Sequence, residues 1–202
     1  MNKMLVKPGQ KVSFLECMKN EIQNQSTLKL TDNQGINQVA STVYNALLLS
    51  NISIIERTPE KFVVDYIEAG REAVIVDPFI DLVFKNDNKF PVYMLVNSDG
   101  KQVTAEVFGT VEDSGLKSRI EVRDYQIIPK KKHGKLDYNL PRGQKVVAVE
   151  GEDGLAVNVY KIYEKDGKKV KEELISKNRY EPQDEILYIG AKSVNKYDGI
   201  LK

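Results

Sequence analysis

The chain is poor in the residues that build reactive or metal-bound sites. Its 202 residues include one cysteine, Cys17, one histidine, His133, and no tryptophan. A single cysteine excludes an internal disulfide scaffold, although it fits either side of a cell membrane. Cysteine and histidine together number two, fewer than the three or four ligands a zinc site takes, so neither a metal nor a cofactor is expected. No apolar run approaches the roughly 18 residues that span a bilayer. Residues 1–11 lack the hydrophobic stretch of an export signal and run straight into Pro8-Gly9. A net charge of +1 provides no field that would gather nucleic acid or an acidic lipid surface.

What is present is ordinary for a globular protein: 41% hydrophobic and 29% charged residues, enough for one large or two small domains. Phe14, Met18 and Ile22 recur at helical spacing and predict a first helix over 13–25, with Cys17 beside its apolar face as a small hydrophobe. Ile36, Val39, Ala40, Val43, Ala46 and Leu47 predict a second, amphipathic helix. On its other face Asn37, Ser41 and Asn45 stack four residues apart. Thr31, Asp32 and Asn33 are N-cap candidates and Gly35 permits a tight entry, which puts Asn37 in the first turn.

From residue 51 the texture is that of strands, predicted over 52–56, 62–67, 73–76, 80–85, 92–96 and 103–108. Asn86-Asp87-Asn88 and Asn97-Ser98-Asp99-Gly100 read as hairpin turns. The first of these could suggest calcium, but it lacks the full loop of oxygen ligands. Residues 110–117 read as a linker. A second β region follows, with strands predicted over 119–128, 145–150, 155–164, 168–175 and 185–189, and a hairpin tip at Asp166-Gly167. The basic cluster from Lys130 to Lys135 reads as a solvated hairpin end that blunts a sheet edge.

The stretch from Asp32 to Leu47 resembles the signature of VanW-type domains, a glycine run followed by Cys-Gln-Val-Ser-Thr-Thr-Leu-Tyr-Asn-Ala. Here that segment reads Asn37-Gln38-Val39-Ala40-Ser41-Thr42-Val43-Tyr44-Asn45-Ala46, with Asn37 where the family keeps a cysteine. Further matches are Val6-Lys7-Pro8-Gly9, Gly70-Arg71, Asp81 to Asn86, Phe90-Pro91-Val92 and Phe108-Gly109. The resemblance implies that catalytic relatives use the cysteine with a histidine partner in L,D-transpeptidation of peptidoglycan stem peptides. A thiolate near a helix start is physically reasonable, whereas asparagine offers neither an ionisable proton nor a nucleophile. The partner motif Glu-Arg-His-x-His-Ser is replaced by Glu56-Arg57-Thr58-Pro59-Glu60-Lys61, so the histidine is missing as well. In relatives the opening element follows an upstream helix and an export segment, which implies an extracellular or cell-envelope chain trimmed of that segment.

The second region resembles the G-five domain, a module that often follows VanW-type domains on secreted bacterial proteins. Leu140-Pro141-Arg142-Gly143, Glu150 to Gly154, Asp166-Gly167, Pro182 and Ile189-Gly190 carry the likeness. The glycines are expected at turns that need positive φ.

These readings give an α+β protein: an N-terminal domain, 1–117, of two helices on an antiparallel sheet, and an elongated all-β domain, 118–202. No catalytic residue is expected. Asn37, Gln38, Ser41, Tyr44 and Arg71 are the candidates for a ligand-binding cleft, since amides and hydroxyls suit peptide bonds and sugar hydroxyls. Ser41 and Thr42 lack a base that would activate them and read as helix-surface hydroxyls. Arg71 either grips a substrate carboxylate or pairs with Glu68 or Glu72. Tyr160, Tyr163, Tyr180 and Tyr188 are candidates for stacking on sugar rings. The function expected is a non-catalytic envelope protein that binds peptidoglycan or its stem peptides. The alternatives are an active transpeptidase-like enzyme with an unusual site, or a structural and adhesive module.

Overall fold

A computed structural model describes residues 3–24, 33–110 and 115–192. The N-cap candidates Thr31 and Asp32, the linker residues Asp113 and Ser114, and the side chains of Ile22 and Asn33 lie outside what is described. In chain order the elements are β1 (Lys3–Val6), β2 (Lys11–Ser13), α1 (Phe14–Asn24), α2 (Asn33–Leu49), β3 (Ser53–Glu56), β4 (Val83–Lys85), β5 (Val92–Ser98), β6 (Val103–Phe108), β7 (Lys117–Ile128), β8 (Lys132–Pro141), β9 (Lys145–Val149), β10 (Gly154–Lys165), β11 (Lys168–Tyr180) and β12 (Glu185–Lys192). The protein is thus mostly β, with two helices among the described residues.

The chain divides into two compact units. The first comprises residues 1–60, 64–124 and 157–178, and the second comprises 61–63, 125–156 and 179–202.

Within the first unit the expected single sheet is replaced by two antiparallel three-stranded sheets, ordered β1-β5-β6 and β2-β4-β3. Asn86-Asp87-Asn88 is therefore no hairpin turn, because β4 and β5 on either side of it belong to different sheets. Asn86 has no exposed surface, and its amide donates to the carbonyls of Val6 and Phe90 at 2.9 and 3.0 Å, locking the crossing between the sheets. The turn after β5 does close a hairpin: Asp99 accepts from the amides of Lys101 and Gln102 at 2.9 and 2.7 Å. Helix α1 is capped from both sides. Ser13 Oγ accepts from Glu16 N at 3.0 Å, and Asp81, 66 positions downstream of Leu15, accepts from Leu15 N at 2.9 Å. The core joins Val6, Phe14, Val43, Leu47, Leu82, Phe84 and Met94, and Cys17 packs against its margin with Sγ 3.8 Å from Met4 Sδ.

Residues 62–67 and 73–76, both predicted as strands, belong to no strand. Their β-branched composition suits extended backbone, but side chains rather than a neighbouring strand bond to Arg71 O, Ala73 N and Ile75 N, as described below.

A third sheet, β11-β10-β7, turns at the two residues Asp166 and Gly167, with φ of 51° and 74°, the compact tip expected from the sequence. In the second unit the order is β8-β12-β9. Strand β8 was not anticipated, and it pairs with β12 in parallel, so the all-β region is not wholly antiparallel. The basic cluster forms the start of this edge strand and not a hairpin end; Lys132 pairs with Glu185 at 3.1 Å. The glycines here serve close approach as much as turning. A β-carbon at Gly154, whose φ is not positive, would lie 2.5 Å from Tyr180 O and 2.7 Å from Pro182 N, and one at Gly190 would overlap the carbonyl of Pro141.

Gly154→Ala is therefore expected to lower the urea midpoint by the equivalent of roughly 1–3 kcal/mol or more, as overpacking against rigid backbone does. Gly167→Asn, at an open turn whose left-handed conformation asparagine tolerates, should change it by much less. Equal midpoints for the two variants would contradict the close-approach account.

Candidate functional site

The segment 71–75 is extended, and its backbone groups need partners. Helix α2 supplies them from side chains. Asn37 Oδ1 accepts from Ile75 N at 2.9 Å, Ser41 Oγ accepts from Ala73 N at 2.9 Å, and Asn45 Nδ2 donates to Arg71 O at 2.8 Å. Four helical residues rise about 6.0 Å and two extended residues about 6.6 Å, so a polar side chain at every fourth helix position meets a backbone group at every second position of the segment. Helix and segment run in opposite directions, and the polar face of α2 replaces a β-partner. The intervening amide, Val74 N, points the other way and bonds to Thr58 O at 2.9 Å.

This use buries the face. Asn37 is 7% exposed, Ser41 1% and Tyr44 2%. The remaining amide proton donor of Asn37, Nδ2, binds Glu60 Oε1 at 2.9 Å. Ser41 is thus an interior hydroxyl and not a helix-surface one, while Thr42 Oγ1 donates back to Gln38 O at 2.8 Å. Arg71 binds Asn45 Oδ1 through Nε at 2.6 Å and lies 3.5 Å from Glu68 Oε2, one of the two structural partners the sequence offered for it. Gln38 is half-buried and contributes its backbone carbonyl. With α2 starting at Asn33, Asn37 falls in the second turn, beyond the unsatisfied amides of the helix start.

A buried ion pair adjoins the ladder. Glu72 has no exposed surface; its Oε2 accepts from Gly70 N at 2.9 Å and its Oε1 from Arg57 Nη2 at 3.1 Å. Arg57 also donates from Nε to Glu72 O at 2.6 Å and from Nη1 to Asn178 Oδ1 at 2.5 Å, and its guanidinium lies 5.1 Å from the centre of the Tyr44 ring. Gly70, with φ of 91°, lets the chain turn into this cluster. Burial pushes the Tyr44 phenol up, against the opposing pull of Arg57. Burial likewise raises Tyr66, whose hydroxyl lies near Ser41 without a well-formed hydrogen bond.

The structure therefore brings Asn37, Ser41, Tyr44 and Arg71 together, but as a filled polar network rather than an open cleft. Sequence reasoning missed Asn45, Arg57, Glu60, Tyr66 and Glu72 as members. Asn45 carried a signal in its spacing from Asn37 and Ser41; Glu72 was read only as a possible partner of Arg71, and Glu60 gave none. Neither Cys17 nor His133 is a member of this network. His133, the only histidine, belongs to the second unit and binds Asp184 Oδ2 at 2.7 Å.

The tyrosine candidates do not form one platform. Tyr180 has no exposed surface, so neither ring face is available to a sugar, a correction to the expectation. Tyr160 carries the Arg123 guanidinium 4.1 Å from its ring centre and donates to Asp124 Oδ2 at 2.7 Å. Tyr163 has the ammonium groups of Lys161 and Lys171 at 5.4 and 5.1 Å. Tyr188 is 37% exposed in the second unit, which also exposes Tyr125 (53%) and Tyr138 (70%), two rings the sequence reading passed over.

Asn37→Cys should lower stability by about 1–3 kcal/mol, because Ile75 N and Glu60 each lose a partner in a buried setting, and should gain no transpeptidation of a stem-peptide substrate. A variant as stable as the parent in urea would refute the ladder. A pH dependence follows from the raised tyrosines. The folded chain keeps phenolic protons that the unfolded chain sheds above its usual pKa near 10, so stability is full below that pH and falls as pH rises beyond it. Urea midpoints from pH 8 to 11 should decline, and less steeply in Tyr44→Phe; parallel curves would exclude a contribution from Tyr44.

Comparison with known proteins agrees with the sequence likeness. A family described as "VanW like protein" matches residues 1–108, and one described as "G5 domain" matches residues 119–192. No curated protein matches the chain. Among solved structures, "IgA1 Protease G5 domain structure" is 24% identical, covering 39% of this chain and 92% of that one with a TM-score of 0.31. "Crystal structure of HP0197-G5" is 30% identical, covering 38% of this chain and 100% of that one with a TM-score of 0.25. With more than half of its length matched, the chain belongs to the VanW-like protein family and carries a G5 domain behind the VanW-like one.

Proposed function

We propose that this is a non-catalytic protein of the bacterial cell envelope that binds peptidoglycan, a pseudoenzyme relative of the transpeptidases its VanW-like domain resembles. The observation that carries this reading is the use of Asn37. At the position where the resemblance expects a nucleophile, the side chain is buried and both ends of its amide bind the protein itself, to Glu60 and to Ile75. A residue so committed cannot attack an acyl donor, and the carboxylate beside it, Glu60, is engaged as the acceptor of its amide. The order of the two domains supports an envelope location, and no described helix is long and apolar enough to cross a membrane.

In this reading residues 1–117 form the VanW-like domain and 118–202 the G5 domain, and wall contact belongs to the latter. Exposed rings at Tyr125, Tyr138 and Tyr188 provide flat apolar surfaces on which sugar rings can stack. The polar face of α2 is assigned to stability and not to ligand.

Co-sedimentation of the full chain with purified peptidoglycan sacculi tests the proposal. Saturable binding is expected, weakened several-fold by Tyr138→Ala combined with Tyr188→Ala and unaffected by Gln38→Ala. Failure of the full chain to sediment with sacculi, or transpeptidase activity in the parent protein, would overturn it.

A further inference from the structure

Lys161 lies on β10 facing inward, between the buried residues Val159 and Ile162, and is itself 8% exposed. Its ammonium makes one hydrogen bond, to Ser50 O at 2.8 Å, just past the C-terminal end of α2. No carboxylate among the described residues lies within ion-pair distance of it. Glu173, the acid that acts on it from further away, is held by Lys171 at 3.3 Å and by the Tyr163 hydroxyl at 3.3 Å. An ammonium has three donors, and a buried one without an anion is costly, so Lys161, whose other contact is the Tyr163 ring at 5.4 Å, lacks an anionic partner.

The same residue lines a cavity of about 550 Å³ in the first unit, walled on its apolar side by Leu49, Phe90, Val92 and Val107. That volume is within the range of small-molecule sites, which pair apolar walls with a few fixed polar groups. Lys89 and Lys117 stand at the cavity as well. The acid there, Asp87, is taken by Lys85 at 2.7 Å and by Ser53 Oγ at 2.5 Å. Three lysines thus face a cavity whose carboxylate is already satisfied.

We propose that this cavity binds a small organic carboxylate, with the carboxylate on the Lys161 ammonium and an apolar body against Phe90, Val92 and Val107. Burial holds the Lys161 amine below its usual range, and an arriving anion would oppose that shift by favouring the charged form. A peptide ending in a free carboxylate is one such ligand; choosing a stem-peptide end as its source rests on the wall-binding reading above, whereas the pocket itself does not.

The test is calorimetric titration of the full chain with hexanoate, hexanamide, and N-acetyl-D-alanyl-D-alanine. Hexanoate should bind with one-to-one stoichiometry and hexanamide at least tenfold more weakly. Lys161→Met should weaken hexanoate at least tenfold, and Lys161→Arg should retain binding within a few-fold. Because Lys161→Met also removes a hydrogen bond to the end of α2, Phe90→Asp provides a second variant: the ring is 48% exposed, so the change is compatible with folding, and a carboxylate on the wall should abolish binding. Hexanoate binding without the dipeptide supports the pocket and removes the stem peptide as its source. Failure of the parent to bind hexanoate, equal binding of hexanamide, or undiminished binding by Phe90→Asp would overturn the proposal. Sacculus binding is read independently: if it persists when hexanoate does not bind, the pocket fails and the wall reading stands.

Discussion

One long helix substitutes for a strand, and much of the first unit depends on that substitution. The connection from β3 to β4 contains an extended run that no β-strand accompanies. It is held because Asn37, Ser41 and Asn45 stand about 6 Å apart along α2, nearly the repeat of alternate residues in an extended chain. Each contact is modest, near 1 kcal/mol net, but each unmade contact would leave a buried backbone group unpaired at greater cost. Once the run is fixed, Glu72 is carried into the interior. A carboxylate there requires a cation, so Arg57 is fixed too, and Arg57 in turn reaches Asn178 on β11. The order of dependence runs from helix spacing to backbone position to buried charge.

This dependence explains what asparagine contributes at position 37. The position needs an acceptor for Ile75 N and a donor for Glu60, and a side-chain amide provides both in one group. A thiol is a weak donor and a weak acceptor, and would satisfy neither well. The second-turn placement of Asn37 also removes the electrostatic benefit that a thiolate gains from free amides at a helix start. Both ends of the Asn37 amide are thereby committed to bonds within the protein.

The sequence made the helix, its polar rows and most strands legible because these rest on local periodicity. Val103–Phe108 could be read to the residue, and the Asp166-Gly167 tip follows from turn chemistry alone. What it could not show was the destination of the polar row. Three polar residues on one face look the same whether they meet water, a ligand or a backbone. Only the register with 71–75 distinguishes them, and that register is set by residues far away in the chain. The same limit applied to Tyr180: alternation along β11 does not say which face will be covered, and its face is the covered one. Strand β8 escaped notice because its lysine-rich start looks like a loop, although edge strands favour such residues. The glycines of the second unit were expected at turns, yet Gly154 and Gly190 are required by backbones passing close to them, a tertiary fact without local signature.

Helix α2 presents two different situations along its length. On its polar face Asn37, Ser41 and Asn45 are all engaged by the chain itself. Its C-terminal end differs: Leu49, Ser50 and Asn51 border a cavity, and the carbonyl of Ser50 orients an ammonium that has donors to spare. Helix ends attract cations through their unpaired carbonyls, and a lysine drawn there by the helix is positioned without being neutralised. A site for an anion can arise in this way from the requirements of folding alone: the helix fixes the cation, burial makes it need a counterion, and surrounding apolar walls decide which anions can reach it. The capacity for recognition in this unit thus resides where the fold leaves a charge incompletely answered, and not along the face where the family resemblance would look for chemistry.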